Sequence, residues 1–252
     1  MKTVDAILSP AEFAALGGRD LGMTLCVVFD VLRATSSMVT ALGNGAAGIV
    51  PVDDIAPALA FRRSHPEALL AGERDGLRIP AALAGGMEFD LGNSPREFTR
   101  GAVAGRTIVM TTTNGTRALR ACASAGRVLV GSFLNLGATV DSLFGAVPDH
   151  VLLVCSGTFE EAAFEDVLCA GAVCDLLSKG SGEPRVSDSA LMARKLFLQA
   201  HGDLPSALGQ SRNGRRLLAN TELRDDVAFC ARLDATPIAV RMDGDGRVSL
   251  SG

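Results

Sequence analysis

Short apolar segments that alternate with helical patterns constrain the fold of this chain more than any other feature. Five such segments, each bounded by glycine or polar residues, have the length and the β-branched content of buried strands. They are Leu25 to Phe29, Gly48 to Val52, Thr107 to Met110, Arg127 to Val130 and Val151 to Cys155. Strand–helix–strand order favours parallel pairing. The sequence therefore predicts an α/β protein, a layered α/β/α arrangement around a largely parallel or mixed sheet.

Helical patterns fill several of the intervals. Residues Thr116 to Ala125 carry an apolar stripe, and Gly126 is expected to cap that helix at its C-terminus. Residues Ser187 to Ala200 form a second pattern, and Asp203 is a candidate N-cap for a third helix. In the second pattern the side chains expected to face inward are Leu191, Met192, Leu196 and Phe197. Each of these patterns predicts a helix packed against the sheet.

The C-terminal part continues in the same style. Asp225 to Leu233 is predicted to be helical, and Pro237 to Met242 with Arg247 to Leu250 flank an Asp-Gly-Asp-Gly turn that is typical of a β-hairpin. No linker or low-complexity run divides the 252 residues. We expect one continuous α/β unit over residues 1–252.

A weak internal similarity suggests two related halves. Val27-Val28-Phe29-Asp30 leads through a hydroxyl-containing turn and a short helix to Ile49-Val50, as Ile108-Val109-Met110-Thr111 leads through Asn114 to Val128-Leu129-Val130. Two similar packed lobes, at about 1–100 and 101–252, are therefore compatible with the pattern.

Composition excludes several classes of protein. A net charge of −4 provides no basic surface for nucleic acid. The N-terminal Met1-Lys2-Thr3-Val4-Asp5 lacks the apolar core of a secretory signal, and no apolar run is long enough to span a membrane. The six cysteines contain no C-x-x-C pair and are expected to be buried free thiols, as in a reducing cytoplasm. The sequence leaves a homo-oligomer open.

Polar residues follow two of the predicted strands and mark a candidate site. Asp30 ends the first strand, where ligands of open α/β sheets gather, so it is either a cation ligand or a cap of the following segment. Arg33 comes three residues later, and its guanidinium either clamps an oxyanion through two donors or is a solvated surface group. Thr113-Asn114-Gly115-Thr116 follows the third strand as a hydroxyl-rich turn that opens a helix. These turns indicate an oxyanion site.

The segment Asn93-Ser94-Pro95-Arg96-Glu97 allows two compatible interpretations. Ser94 as N-cap, Pro95 at the first helical position and Glu97 at the third form a capping box. The same helix N-terminus directs free N–H groups at an anion.

Two charged pairs are further candidates. Glu73-Arg74 follows an apolar stretch and is either part of a site or a surface ion pair. Glu165-Asp166 opens a predicted helix, where acids are also expected from the helix dipole alone.

Absent motifs narrow the chemistry. The three histidines show no zinc-site spacing, and no Walker loop is present. Cys26 and Arg33 are separated by six residues where thiol phosphatases have five. Asp30 also lacks the second acid of the D-x-D motif of haloacid-dehalogenase phosphatases. The chemistry that remains is magnesium held by carboxylates and water, with Arg, Asn and Thr groups that orient an ester.

Four separated motifs, in the same order, resemble the magnesium-dependent 2-phosphosulfolactate phosphatase family over about residues 25–230. They are Val28 to Thr35, Ala71 to Arg74, Phe89 to Pro95 and Thr111 to Thr116. The resemblance implies Mg²⁺-dependent hydrolysis of a small anionic phosphoester, (R)-2-phospho-3-sulfolactate, to 3-sulfolactate and phosphate, a step that in some organisms serves coenzyme M biosynthesis.

The resemblance also suggests roles for the candidate residues. Metal ligands are expected at Asp30, Glu73 and Asp166. Catalytic groups are expected at Asp30, Arg33, Glu165, Thr113 and Asn114, with Glu165 orienting water. Substrate-binding groups are expected at Arg33, Thr35, Arg74, Asn93, Ser94, Thr116 and Arg117.

Two other functions remain open on the sequence. One is a phosphatase of a different small phospho-acid, since sulfonate and carboxylate present similar oxygens to arginine. The other is a non-catalytic anion-binding protein, against which the several acids beside the arginines speak.

Overall fold

A computed structural model describes residues 1–180 and 184–251 of the chain, and it contains eleven strands within these ranges. In chain order they are β1 (Thr3–Ile7), β2 (Thr24–Phe29), β3 (Gly48–Pro51), β4 (Leu69–Arg74), β5 (Leu77–Arg78), β6 (Thr107–Thr111), β7 (Arg127–Gly131), β8 (His150–Cys155), β9 (Arg185–Val186), β10 (Val240–Met242) and β11 (Val248–Leu250). The five strands predicted from apolar segments are confirmed as β2, β3, β6, β7 and β8. The prediction missed β1, β4, β5 and β9.

The same ranges contain eleven α-helices. They are α1 (Phe13–Leu16), α2 (Ala34–Gly43), α3 (Ile55–Ser64), α4 (Arg100–Val103), α5 (Gly115–Ala121), α6 (Leu136–Ala146), α7 (Phe164–Lys179), α8 (Asp188–Ala200), α9 (Leu204–Gln210), α10 (Arg212–Leu218) and α11 (Asp225–Cys230). The predicted helix after Ser187 is confirmed, as is Asp203 as an N-cap, because its side chain accepts a hydrogen bond from the Ser206 backbone N–H.

All eleven strands form one mixed sheet in the order β5-β4-β6-β3-β11-β10-β7-β2-β8-β1-β9. Strands β4, β6 and β3 pair in parallel, and so do β7, β2, β8, β1 and β9. The predicted C-terminal hairpin, β10–β11, lies between these two groups and pairs antiparallel with β7 on one side and β3 on the other. The hairpin therefore joins two parallel half-sheets into a single sheet.

Both faces of the central strands are covered, which confirms the layered α/β/α fold. Along β2, Leu25, Val27 and Phe29 belong to one core with α6, α7 and α9, whereas Cys26 and Val28 belong to a second core with α2 and α5. Continuous apolar strands arise in this way, because each face of a parallel strand meets a helix layer. The second core also contains residues of β3, β4 and β6, so the two half-sheets share it.

The two similar segments noted in the sequence interleave in the sheet. Strand β2 pairs with β7, and β3 pairs with β6. Each strand of the first segment therefore lies beside a strand of the second, and the sequence ranges 1–100 and 101–252 both contribute to each half-sheet.

Three local predictions were wrong. The helix expected to reach Ala125 ends at Ala121 with Cys122 as its cap, so Gly126 does not cap it. In α8 the buried side chains are Ala190 and Ala193. Leu191, Met192 and Leu196 are exposed, because α8 packs closely on α7 through its small residues, whereas Phe197 is partly buried against the core as predicted.

The third wrong prediction is the capping box at Ser94. Residues Pro95–Glu97 form a single 3₁₀ turn, and the Ser94 side chain makes no capping bond. Its hydroxyl donates to Asp226 instead, and the Glu97 carboxylate accepts hydrogen bonds from the Gly92 backbone and from Arg78. Ser94 and Glu97 therefore bond to other residues instead of forming the reciprocal bonds of a capping box.

All six cysteines are buried and free, as predicted. No helix in residues 1–180 and 184–251 is both long and apolar enough to cross a membrane.

Candidate active site

A polar cleft lies where the chain leaves the carboxyl ends of β2, β4, β6 and β8. Its lining comprises Asp30, Leu32, Arg33, Glu73, Asp75, Gly76, Asn93, Thr112, Thr113, Asn114, Thr158, Phe159, Asn213, Arg216 and Leu217. Ligands of α/β proteins bind at this position relative to the strands. The cleft collects the Asp30, Glu73, Asn93 and Thr113 motifs, which are distant in sequence.

Asp30 is the buried carboxylate of the cleft. Its Oδ1 accepts a hydrogen bond of 3.1 Å from the backbone N–H of Ala34, in the first turn of α2. Burial raises the pKa of Asp30 to about 7, and the negative charges of Glu73 and Glu165 add to that rise. A carboxyl group with a pKa in this range is typical of functional sites.

The second oxygen of Asp30 faces the start of α5. A β-carbon at residue 115 would lie 2.9 Å from Asp30 Oδ2 and 2.8 Å from the side chain of Ala34, so only glycine fits. The close approach brings the first backbone N–H groups of α5, and the positive end of its dipole, to the cleft. Asp30 therefore lies between the N-termini of two helices.

Glu73 holds two loops of the cleft together. Its Oε1 accepts from the backbone N–H and the hydroxyl of Thr113, at 3.0 and 2.9 Å, and its Oε2 accepts from the Gly76 backbone N–H at 2.7 Å. Both oxygens already have donors. Glu73 therefore fixes the turn after β6 against the turn after β4.

Arg33 is buried and paired with an acid from the other end of the chain. Its Nη1 donates to Asp226 Oδ2 at 2.8 Å, and its Nη2 donates to the carbonyl of Gly76 at 2.5 Å. Asp226 is fully buried and also accepts from Ser94 Oγ and Arg96 Nε, each at 2.7 Å. The two arginines and the serine satisfy the buried carboxylate, and Asp226 in return orients Arg33.

Glu165 lies behind the cleft with one oxygen unused. Its Oε1 accepts from Asn213 Nδ2 at 2.6 Å, and the same amide donates to Thr158 at 2.8 Å. Burial raises the pKa of Glu165, although the bond from Asn213 opposes that rise. Glu165 Oε2 is buried and has no hydrogen-bond partner among the described residues.

Three more buried side-chain oxygens have no hydrogen-bond partner among the described residues. Within residues 1–180 and 184–251, the remaining buried side-chain oxygens without a partner are Asn93 Oδ1, Thr112 Oγ1 and Ser156 Oγ. Asn93 and Thr112 line the cleft, and Ser156 immediately follows β8. A buried polar atom without a partner costs about 1–3 kcal/mol, so a polar ligand or water in the cleft would stabilise Asn93 and Thr112.

Asp166 has a structural task close to the site. Its Oδ1 accepts from the Val31 backbone N–H at 2.8 Å and its Oδ2 from that of Gly157 at 3.1 Å. It therefore joins the loops after β2 and β8. Burial raises its pKa, together with the charges of Glu165 and Asp30.

Besides Glu165 and Asp166, five candidate side chains lie outside the cleft lining: Thr35, Arg74, Ser94, Thr116 and Arg117. The Thr35 hydroxyl accepts from the Asp30 backbone, and Thr116 donates to the carbonyl of Thr112. Arg74 donates to the carboxylate of Asp54, and Arg117 pairs with the exposed Glu160. The first two shape the turns around Asp30, whereas the two arginines bind acids away from the cleft.

Three functional candidates escaped the sequence analysis: Asn213 and Arg216 on α10, and Asp226 on α11. The only signal was the polar density of residues 211–226, and a single sequence does not reveal that α10 and α11 pack over a site formed by residues 30–114. No group of three or more His, Cys, Asp or Glu side chains in the described residues is positioned to hold a metal ion by itself.

Comparisons with known proteins point to one family. A family model described as 2-phosphosulpholactate phosphatase matches residues 16–244. A probable 2-phosphosulfolactate phosphatase of Symbiobacterium thermophilum is 39% identical over 233 residues, which are 92% of this chain and 93% of the relative. Similar proteins with the same name occur in Caldicellulosiruptor saccharolyticus, at 39% identity over 82% of this chain and 84% of the relative, and in Deinococcus radiodurans, at 39% over 84% and 85%.

Proposed function

The chain belongs to the 2-phosphosulfolactate phosphatase family, and we propose that it hydrolyses (R)-2-phospho-3-sulfolactate to 3-sulfolactate and phosphate. The observation that carries this proposal is the convergence of Asp30, Arg33 and the N-termini of α2 and α5 in one cleft lined with unpartnered polar oxygens. A phosphoryl group is bound through guanidinium and backbone N–H donors, and the position of Arg33 and of the α5 N-terminus beside Asp30 supports such a site.

We further propose that the reaction depends on Mg²⁺. Mg²⁺ usually binds one or two carboxylates, several waters and the substrate phosphate, so three protein ligands are not required. Asp30 fits this role, since burial and the charges of Glu73 and Glu165 raise its pKa, and a cation relieves that repulsion. The remaining metal candidates, Glu73 and Asp166, already accept N–H donors on both oxygens. When bound, the ion neutralises charge on the phosphoryl oxygens.

Glu165 is the group we assign to the attacking water. Its buried Oε2 is a free acceptor, and Asn213 fixes the orientation of the carboxylate through Oε1. Arg33 stabilises charge on the phosphoryl oxygens, and Thr113 with Asn114 completes the binding turn. In this arrangement water attacks phosphorus directly and the C2 oxygen of sulfolactate leaves.

Phosphate release from synthetic 2-phospho-3-sulfolactate tests the proposal. We expect turnover with Mg²⁺, none with excess chelator, and recovery when Mg²⁺ is restored. Asp30→Asn should weaken Mg²⁺ binding measured by calorimetry in the presence of phosphate, as well as lowering the rate. Full activity in excess chelator would contradict the proposed dependence on Mg²⁺. Preferred turnover of a sulfonate-free phospho-acid would identify a different substrate.

A further inference from the structure

Two guanidinium groups line the cleft, those of Arg33 and Arg216. Within residues 1–180 and 184–251, no other lysine or arginine contributes to the lining. The proposed substrate carries a phosphate, a carboxylate and a sulfonate, and therefore more than one anionic group that needs a partner. The two arginines differ in how far their donors are already engaged.

Arg33 is committed to protein partners. Its side chain is only 3% exposed, and it is held by the fully buried carboxylate of Asp226 and by the Gly76 carbonyl. Its position beside Asp30 places it at the deep end of the cleft, with the phosphoryl chemistry.

Arg216 is held only loosely. Its Nη2 lies 3.7 Å from Asp75, and the two side chains are 50% and 96% exposed. Ion pairs with that exposure contribute little stability, because solvent screens them. The Arg216 guanidinium is therefore available at the mouth of the cleft, where its neighbour Leu217 is anchored in the core.

Gly76 fixes the spacing between the two arginines. Arg33 Nη2 donates to its carbonyl, while the Arg216 Cζ, Nε and Nη2 atoms lie 3.6–3.7 Å from the position that a side chain on residue 76 would occupy. The two guanidinium groups thus flank one residue of the β4–β5 turn.

We propose that Arg216 determines specificity by binding the sulfonate of the substrate, while Arg33 serves the phosphate. This inference rests on the proposed function. In 2-phospho-3-sulfolactate the sulfonate sulfur is one atom farther from C2 than the carboxylate carbon is, so with the phosphate beside Asp30 the sulfonate is the anionic group that extends farthest towards Arg216. A guanidinium is weakly hydrated and planar, and presents paired donors to a group with three oxygens. The half-exposed position also suits the part of the substrate that does not react.

A comparison of two substrates in two variants tests the assignment. The substrates are 2-phospho-3-sulfolactate and 2-phospholactate, which keeps the phosphate and carboxylate but lacks the sulfonate. In Arg216→Gln we expect the ratio of their kcat/KM values to fall at least tenfold, through a higher KM for the sulfonated ester. Arg215→Gln is the matched control, because it removes the same charge from the same helix outside the cleft lining, and its ratio should match the wild-type value.

Product inhibition gives an independent readout. Inhibition by 3-sulfolactate should weaken about tenfold in Arg216→Gln, whereas inhibition by inorganic phosphate should change far less. Arg216→Lys keeps the charge and should lie between wild type and Arg216→Gln. An unchanged ratio in a wild-type enzyme that turns over 2-phospho-3-sulfolactate would overturn the role of Arg216 alone. No wild-type turnover of that ester would overturn the substrate, and this assignment with it.

Discussion

At the residue scale, the carboxylates of the site differ in whether both of their oxygens accept hydrogen bonds from the protein. Glu73, Asp166 and Asp226 use both oxygens on protein donors and so hold loops and Arg33 in place. Asp30 and Glu165 retain oxygens that contact no donor side chain. This division separates the acids that hold loops and Arg33 in place from the two acids to which we assign a role in the reaction.

Arg33→Lys should lower kcat/KM more than tenfold, which corresponds to about 1.4 kcal/mol of transition-state stabilisation. A lysine ammonium cannot reach Asp226, the Gly76 carbonyl and a phosphate oxygen with the geometry of a guanidinium. Steady-state kinetics measure the effect. Arg117→Lys is the control, and less than a threefold change is expected there, because Arg117 pairs with an exposed acid outside the cleft lining. Equal losses of kcat/KM in the two variants would contradict a specific role of Arg33 in the cleft.

Asp226→Asn should destabilise the fold by about 3 kcal/mol, because it leaves the buried Arg33 without its countercharge. Denaturant unfolding gives the free energy. The neighbouring Asp225→Asn is a close control, since Asp225 is 71% exposed and 3.6 Å from Arg96, and its effect should stay within about 0.5 kcal/mol. Similar values for both variants would show that the buried pair does not hold α11 on the site.

The sequence predicted the cleft residues that immediately follow strands, but not those on α10 and α11. Asp30, Thr113 and Asn114 were recognisable because polar residues after an apolar strand lie at the ligand-binding edge of a sheet. Asp226 gave no such signal, since an acid in a first helical turn is expected in any case. Its burial depends on Arg33, which is 193 residues away.

At the scale of elements, hydrophobic period predicted which segments are helices, and in α5 the predicted stripe of Ala118 and Leu119 is buried, but in α8 the predicted face was largely wrong. In α8 the spacing of the longer apolar side chains predicted that they face inward, yet the helix packs on α7 through Ala190 and Ala193. The partner residue is Gly171 of α7, where a β-carbon would lie 2.1 Å from the carbonyl oxygen of Ala193. Close contact between backbones, which no single sequence displays, decided the orientation.

Gly171→Ala should therefore destabilise the protein by about 1–3 kcal/mol, because the added methyl group meets backbone and the helices must separate. Gly145→Ala in α6 is the matched control, as nothing lies within 4 Å of its β-carbon position. There the higher helix propensity of alanine should raise stability by up to about 1 kcal/mol. Denaturant unfolding of both variants measures the difference in sign, and a stabilised Gly171→Ala would contradict the proposed helix contact.

At the scale of the whole molecule, the strand order interleaves the two similar segments of the sequence in one sheet, and we expect the chain to fold as one cooperative unit. Strand β1 pairs with β8, β2 with β7 and β8, and β3 and β4 with β6. Of the pairings made by β1 to β5, only β4–β5 joins two strands from the first hundred residues. Local similarity along the chain predicted the strands and helices but not this interleaving, because pairing is decided by the closure of the shared core.

Fragments 1–105 and 106–252, divided after α4, should therefore fail to fold separately. Each fragment would expose the strand edges and apolar faces that its partner covers, and long-range parallel pairing cannot form within 1–105. Circular dichroism and denaturant titration should show no cooperative transition for either fragment. The intact chain should unfold in a single transition, and an equimolar mixture should regain part of its native signal and phosphatase activity, since Asp30 and Asn114 lie on different fragments. If 1–105 alone unfolded cooperatively, the first half would be an independent lobe, and the cleft would then lie between two separately stable bodies.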